Sequence, residues 1–141
     1  MSDKFFLDTN IIVYSFDDSQ PEKQQTAQNL IRNALTNLNC CISFQVIQEF
    51  LNVATQKFQT PLTTSDCVNY MTRVLEPLCE IYPNFELYRT ALEIKEGWRY
   101  SFYDSLIIAA ALNANCTILY SEDLQNQQRI KNLQISNPFA V

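Results

Sequence analysis

The segment Lys4-Phe5-Phe6-Leu7-Asp8-Thr9-Asn10 joins a short apolar run to three residues that favour turns and helix caps. A run of that length, closed so abruptly, has the pattern of a buried strand. Comparable runs follow at Cys40-Cys41-Ile42-Ser43, at Cys79-Glu80-Ile81-Tyr82 ahead of Pro83 and at Thr117-Ile118-Leu119-Tyr120, with Leu133-Gln134-Ile135 a candidate fifth. The intervals are helical in pattern. Ser19-x-x-Glu22 with Pro21 predicts a capping-box start and a helix to about Leu38, and Ser43 predicts the cap of a helix reaching about Phe58. Further helices are predicted from Ser65 to near Pro77, from Asn84 to near Gly97, and from Ser101 along the run Phe102 to Ala114. Strands alternating with helices predict an α/β fold: one domain over residues 1–141, in three layers α/β/α. Its centre is a mostly parallel, twisted sheet of four to five strands with helices on both faces.

Composition narrows the chemistry. The chain has 141 residues, 47% hydrophobic and 18% charged, with nine Phe and seven Tyr, which is the make-up of a packed globule. It has no histidine, and this excludes Ser-His-Asp and Cys-His hydrolases and every zinc site built on imidazole. Gly97 is its only glycine, so glycine-rich phosphate loops are excluded as well. Five cysteines without C-x-x-C spacing and no signal-peptide pattern predict reduced thiols and a cytoplasmic protein. The longest apolar run, 106–112, is far below the roughly 18 residues of a membrane span. A net charge of -5 argues against binding nucleic acid through a basic surface, so any such role needs cations or a local basic rim.

Four acids stand where an open α/β sheet binds its ligands, around the carboxyl ends of the strands. Asp8 follows the first strand and Asp123 the fourth, in Tyr120-Ser121-Glu122-Asp123-Leu124. Each is open to a second reading as a turn or cap residue, and Glu122 beside Asp123 is expected to be solvated. Glu49 borders the apolar face of its helix, three residues after Val46 and four before Val53, where a structural salt bridge is the alternative. Asp104 opens a helix that is apolar nearly all round; Ser101-x-x-Asp104 also fits a capping box. Four carboxylates converging on one crevice would repel by several kcal/mol for close pairs unless protons or cations neutralised them. An all-oxygen set suits Mg²⁺ or Mn²⁺ and metal-assisted phosphodiester hydrolysis.

The segments Phe6-Leu7-Asp8-Thr9-Asn10, Gln48-Glu49-Phe50, Ser101-Phe102-Tyr103-Asp104-Ser105-Leu106-Ile107 and Tyr120-Ser121-Glu122-Asp123-Leu124 resemble, in order and spacing, the four acidic motifs of the PIN domain. They are most similar to those of VapC-like toxins of bacterial type II toxin–antitoxin pairs. The end, Ser136-Asn137-Pro138-Phe139, resembles theirs too, and the likeness covers essentially the whole chain. It implies a PIN fold and a Mg²⁺- or Mn²⁺-dependent endoribonuclease that forms a homodimer and is held inactive by a small cognate antitoxin. Asp8, Glu49, Asp104 and Asp123 would surround the metal, with Thr9 and Ser121 as supporting hydroxyls. Two stretches depart from the family pattern: Gln125-Asn126-Gln127-Gln128 lacks a glycine, and Gly97-Trp98-Arg99-Tyr100 differs before Ser101.

Arg99 and Arg129 flank the acids in sequence and are candidates for a basic rim that contacts RNA phosphate, with plain solvated charge as the other reading. Tyr14, Tyr100 and Tyr103 are assigned no role on RNA. The same acids would also serve a metal-dependent DNA nuclease or phosphatase, and the fold alone would serve a non-catalytic binding module.

Overall fold

The computed structural model describes residues 3–140. The first strand, β1 (Phe5–Leu7), is central, and its residues are buried because both faces of the sheet are covered. A six-residue helix, α1 (Thr9–Tyr14), starts directly from it, where the sequence pattern showed only a turn. Next come α2 (Pro21–Asn37), β2 (Cys40–Ser43), α3 (Phe44–Gln56) and α4 (Thr64–Tyr70). A π-helical turn over Met71–Leu75 leads through α5 (Glu76–Leu78) to β3 (Cys79–Ile81). The chain then runs through α6 (Phe85–Trp98), α7 (Phe102–Asn113), β4 (Ile118–Tyr120), β5 (Arg129–Ile130) and β6 (Leu133–Ser136). No helix among the described residues is long and apolar enough to cross a membrane.

The sheet has six strands in the order β3-β2-β1-β4-β6-β5. Phe5 lies beside both Cys40 and Ile118, and Leu7 beside Tyr120, so β1 is parallel to β2 and to β4. The expected four to five strands become six because Arg129–Ile130 pairs antiparallel with β6, a two-residue strand too short to show a period. The chain moves one way across the sheet from β1 to β3 and then jumps back past β1 to β4. Right-handed crossovers therefore place the helices before β3 and those after it on opposite faces.

Several helix starts differ from expectation. Ser19 turns its backbone and hydroxyl donors onto Asp17, 3.0 and 2.6 Å away, and leaves α2 to begin at Pro21 without a side-chain cap. Ser43 precedes α3, but its hydroxyl makes no capping bond. The next helix starts from Thr63, whose hydroxyl accepts the Asp66 N–H at 3.1 Å, and not from Ser65. Pro77 sits inside α5 because the first turn of a helix needs no N–H there. Asn84 and Ser101 cap α6 and α7 as their sequences suggest.

The core at the sheet is mostly aliphatic apart from Phe5 and Phe6 of β1, and an aromatic cluster lies beside it. Phe6, Leu7, Ile42, Ile108 and Leu119 are fully buried, and α7 is covered on all sides from Ser105 to Ala111. Phe16 stacks with Phe50, Phe58 and Tyr70 at centroid distances of 5.5, 5.7 and 4.9 Å, which fastens α3 and α4 to the end of α1.

With one glycine available, the left-handed positions fall to other residues. Leu38, Arg99, Asn115, Gln127 and Lys131 all have φ between 54° and 68°. Arg99 ends α6 in this conformation at φ 63°, two residues after a glycine that has no need of φ > 0. An added Cβ at Gly97 would meet nothing within 4 Å. Gly97→Ala is therefore expected to raise stability by about 0.5–1 kcal/mol through the helix and the unfolded chain. Arg99→Gly should add about 1 kcal/mol by relieving the left-handed strain. Urea unfolding checks both; a lowered midpoint in either variant would contradict this account.

Candidate metal centre

The strand order reverses between β1 and β4, and a crevice opens at the carboxyl ends of these two strands. The Asp8 N–H donates to the Tyr120 carbonyl at 3.0 Å, which brings Asp8 next to Ser121. Asp8 is 7% exposed. Its Oδ1 accepts the Thr9 N–H at 2.7 Å and its Oδ2 accepts the Ser121 hydroxyl at 2.8 Å. The cap reading of Asp8 is thus correct, and the cap is also a buried acid at the switch point.

Each residue of Asp8-Thr9-Asn10 has a task. Thr9 Oγ1 donates to Glu49 Oε1 at 2.6 Å. Asn10 Nδ2 donates to Asp123 Oδ2 at 3.0 Å, with Asp8 Oδ2 at 3.5 Å, and Asn10 Oδ1 accepts the Glu122 N–H at 3.2 Å. One turn of α1 therefore carries one acid and holds two others. Ser121 supports the fourth-strand side, since its buried hydroxyl accepts the N–H groups of Asp123 and Leu124 at 3.2 and 3.3 Å. Asp104 is partly buried in the first turn of α7; its N–H donates to Ser101 Oγ at 3.1 Å. The reciprocal half of a capping box is absent, and the Asp104 carboxylate has no hydrogen bond among the described residues.

The structure thus links Asp8, Glu49 and Asp123 through hydroxyl and amide donors. It does not gather the carboxylates themselves: among the described residues no three His, Cys, Asp or Glu side chains stand close enough to hold a metal ion. The expected convergence is corrected to that extent, and the reason lies in the donors, since Thr9 engages Glu49 and Asn10 engages Asp123. The donor set still fits a hard cation. All candidate donors are oxygens, and the ion pairs of the described residues, Lys4–Glu80, Lys23–Glu122 and Arg89–Glu86, leave these acids without a positive partner. Burial raises the Asp8 carboxyl to about 7, Ser121 and Thr9 oppose the rise, and the Glu49 and Asp123 charges add to it. A divalent cation would relieve that strain of charge.

An open groove of about 580 Å³ runs past Glu49 and Asp123 between α1 and α3, with Asn10, Tyr14 and Asn52 on its walls. Neither expected basic residue lines it. Arg99 is exposed at the end of α6, and Arg129 lies on the edge strand β5 with its guanidinium on Gln134 at 3.1 Å. Lys23 reaches a wall residue of the groove: its Nζ donates to Glu122 Oε2 at 2.6 Å, while Tyr14 donates to Oε1 at 2.6 Å. Glu122 is thus not the free surface acid its neighbours suggested; burial pushes its carboxyl up, but Lys23 and Tyr14 outweigh this and hold it below the ordinary value. Lys23 also lies over the Tyr14 ring at 4.8 Å, and Phe139 packs edge-on against that ring. Sequence reasoning missed the tasks of Asn10, Tyr14 and Lys23; only the position of Asn10, two residues after Asp8, offered a signal.

The PIN domain family model matches residues 5–133, and the chain belongs to that family. Its structural relatives are toxins. A toxin–antitoxin complex from Klebsiella pneumoniae aligns over 98% of this chain and 100% of that one, with a TM-score of 0.69 and 13% identity. VapBC2 from Rickettsia felis, bound to a promoter DNA fragment, aligns over 94% and 97%, with a TM-score of 0.63 and 21% identity. VapC20 from Mycobacterium tuberculosis, a toxin that cleaves the sarcin-ricin loop, aligns over 85% and 90%, with a TM-score of 0.59 and 16% identity. At these identities the likeness is one of fold. No curated protein matches by sequence.

The raised Asp8 carboxyl has a consequence for stability. Between the ordinary value of 3.8 and about 7 the folded protein retains a proton that the unfolded chain has lost, so stability rises as pH falls through this window. No histidine titrates there to mask it. In chelator, melts from pH 7.5 to 5.5 should show rising stability, up to about 1.4 kcal/mol per pH unit. Asp8→Asn should flatten the slope and melt several degrees higher at pH 7.5. Equal slopes in the two proteins would return Asp8 to a purely capping role.

Proposed function

We propose that this PIN-domain protein is a Mg²⁺- or Mn²⁺-dependent endoribonuclease and the toxin of a type II toxin–antitoxin pair. The observation that carries the reading is the buried Asp8, which feels the Glu49 and Asp123 charges at the switch point with no cation among the described residues paired to these acids. Asp8, Glu49, Asp104 and Asp123 would hold the ion. When bound, it supplies Lewis acidity toward the phosphodiester and makes water more acidic. The chain's own residues do the placing. Thr9 and Ser121 orient Asp8 and Glu49 through hydroxyl donors, and Asn10 keeps Asp123 and the backbone of Glu122 against α1. The groove beside Glu49 and Asp123 offers a path for a single strand, and the VapC20 relative that cleaves an RNA loop supports RNA as the substrate.

The relatives solved as toxin–antitoxin complexes support an antitoxin partner, and the unpaired acids suit a basic side chain from it, arginine best of all because its planar fork matches a carboxylate. The five free cysteines suit a reducing cytoplasm. A homodimer is supported by α6, where Phe85 at 78% and Leu92 at 55% exposure stand seven residues apart on one face.

Asp104→Asn tests the chemistry cleanly because the Ser101 cap uses the Asp104 backbone, which the change leaves in place. Metal-dependent cleavage of single-stranded RNA should fall at least about a hundredfold with the melting temperature preserved. The toxin reading predicts a small antitoxin encoded beside this gene that inhibits the wild type. Equal activity on single-stranded DNA or on a phosphomonoester would reassign the substrate, and undiminished RNA cleavage by the variant would remove Asp104 from the site. Phe85→Glu should convert a dimer to a monomer in sedimentation experiments; an unchanged mass would exclude α6 as the interface.

A further inference from the structure

Gln45 is 4% exposed in the first turn of α3, and its amide joins the two halves of the site. Nε2 donates to Glu49 Oε2 at 3.2 Å, one helical turn along, and to the Tyr103 carbonyl at 3.1 Å. Tyr103 directly precedes Asp104, so this amide ties the Glu49 carboxylate to the turn of α7 that carries the acid without hydrogen-bonded support. The orientation of the amide follows from chemistry, because the reverse would set its oxygen against a carboxylate and a carbonyl.

The arrangement comes at a cost elsewhere. Among the described residues, Gln45 Oε1 is buried without a hydrogen-bond partner, as are the hydroxyls of Ser43, just before α3, and Ser105, just after Asp104. A leucine or methionine of similar length would fill the space without an unpaired oxygen, so packing does not explain a glutamine there.

We propose that Gln45 is a positioning residue for the metal centre. It fixes the Glu49 carboxylate relative to Asp104, so that acids on two different helices serve one cation. The inference rests on the metal-dependent reading of the site. It assigns to Gln45 the alignment of α3 with α7, a task distinct from the Thr9 and Asn10 contacts within the α1 side.

The test compares full-length wild type, Asp8→Asn, Gln45→Leu and Gln45→Met by Mn²⁺ titration calorimetry, thermal melts in chelator and RNA cleavage kinetics. The Gln45 variants should melt at or above the wild type, since the unpaired oxygen is gone. They should bind Mn²⁺ about tenfold more weakly and lose kcat by a similar factor, while KM for RNA stays within about twofold. Gln45→Asn, too short to reach both acceptors, carries the same expectations for binding and kcat should the apolar variants fail to fold. Wild-type Mn²⁺ affinity in a folded Gln45 variant, with Asp8→Asn weakened, would overturn the role of Gln45 and leave the metal reading standing. Undiminished Mn²⁺ affinity in Asp8→Asn as well would overturn both.

Discussion

Everything in the site depends on one carboxyl group buried where two parallel strands part. Asp8 leaves β1 at the point where the sheet order reverses, and its two oxygens accept from Thr9 at the start of α1 and from Ser121 at the end of β4. Those two bonds join a helix start to a neighbouring strand end. They also hold a group that favours its proton to about pH 7, because burial and the Glu49 and Asp123 charges act against ionisation. A residue chosen only to cap α1 would sit in solvent and ionise freely. On the proposed metal-dependent reading, the burial of Asp8 leaves a charge that a cation from outside the chain would balance.

The polar framework around Asp8 accounts for the spacing of the other acids. Thr9 and Asn10 follow Asp8 directly and reach Glu49 and Asp123, residues 40 and 113 positions away in the chain. Asp8, Glu49 and Asp123 each have their own donors, and among the described residues the acids stand apart instead of clustering, which lowers their repulsion in the absence of a cation. Behind this frame, Lys23 and Tyr14 hold Glu122, and the ring of Phe139 closes over them. The loop that carries Asp123 is thereby fastened to α1 from both sides. The same economy shows in the backbone: a chain with a single glycine places Arg99, Asn115 and Lys131 at its left-handed turns and accepts the strain there.

Legibility in the sequence followed the range of the interactions. The apolar runs of β1, β2, β3 and β4 and the caps at Asn84 and Ser101 could be read because each is decided within a few residues. β5 was not legible, since a two-residue strand exists only through its pairing with β6. The start of α2 was misread for a similar reason: Ser19 had a nearer acceptor in Asp17 than the helix N-terminus provides. Among the candidate site residues, Asp8, Glu49, Asp104 and Asp123 stood out by their places relative to strand ends and apolar faces. Glu122, Lys23 and Gln45 did not, because their meaning lies in partners 99, 99 and 58 positions away.

By itself, the sequence determined the alternation of strands and helices, the absence of imidazole and glycine-loop chemistry, and which acids were candidates, since composition and short-range periodicity are properties of the chain alone. Only the tertiary structure decided that β1 lies between β2 and β4, that Asp8 is buried with Glu49 and Asp123 close enough to raise its carboxyl, and that Arg99 and Arg129 lie off the groove. The physical reason is that burial and Coulomb interaction depend on distances in space, and a parallel sheet makes neighbours of residues that its crossovers keep far apart in sequence.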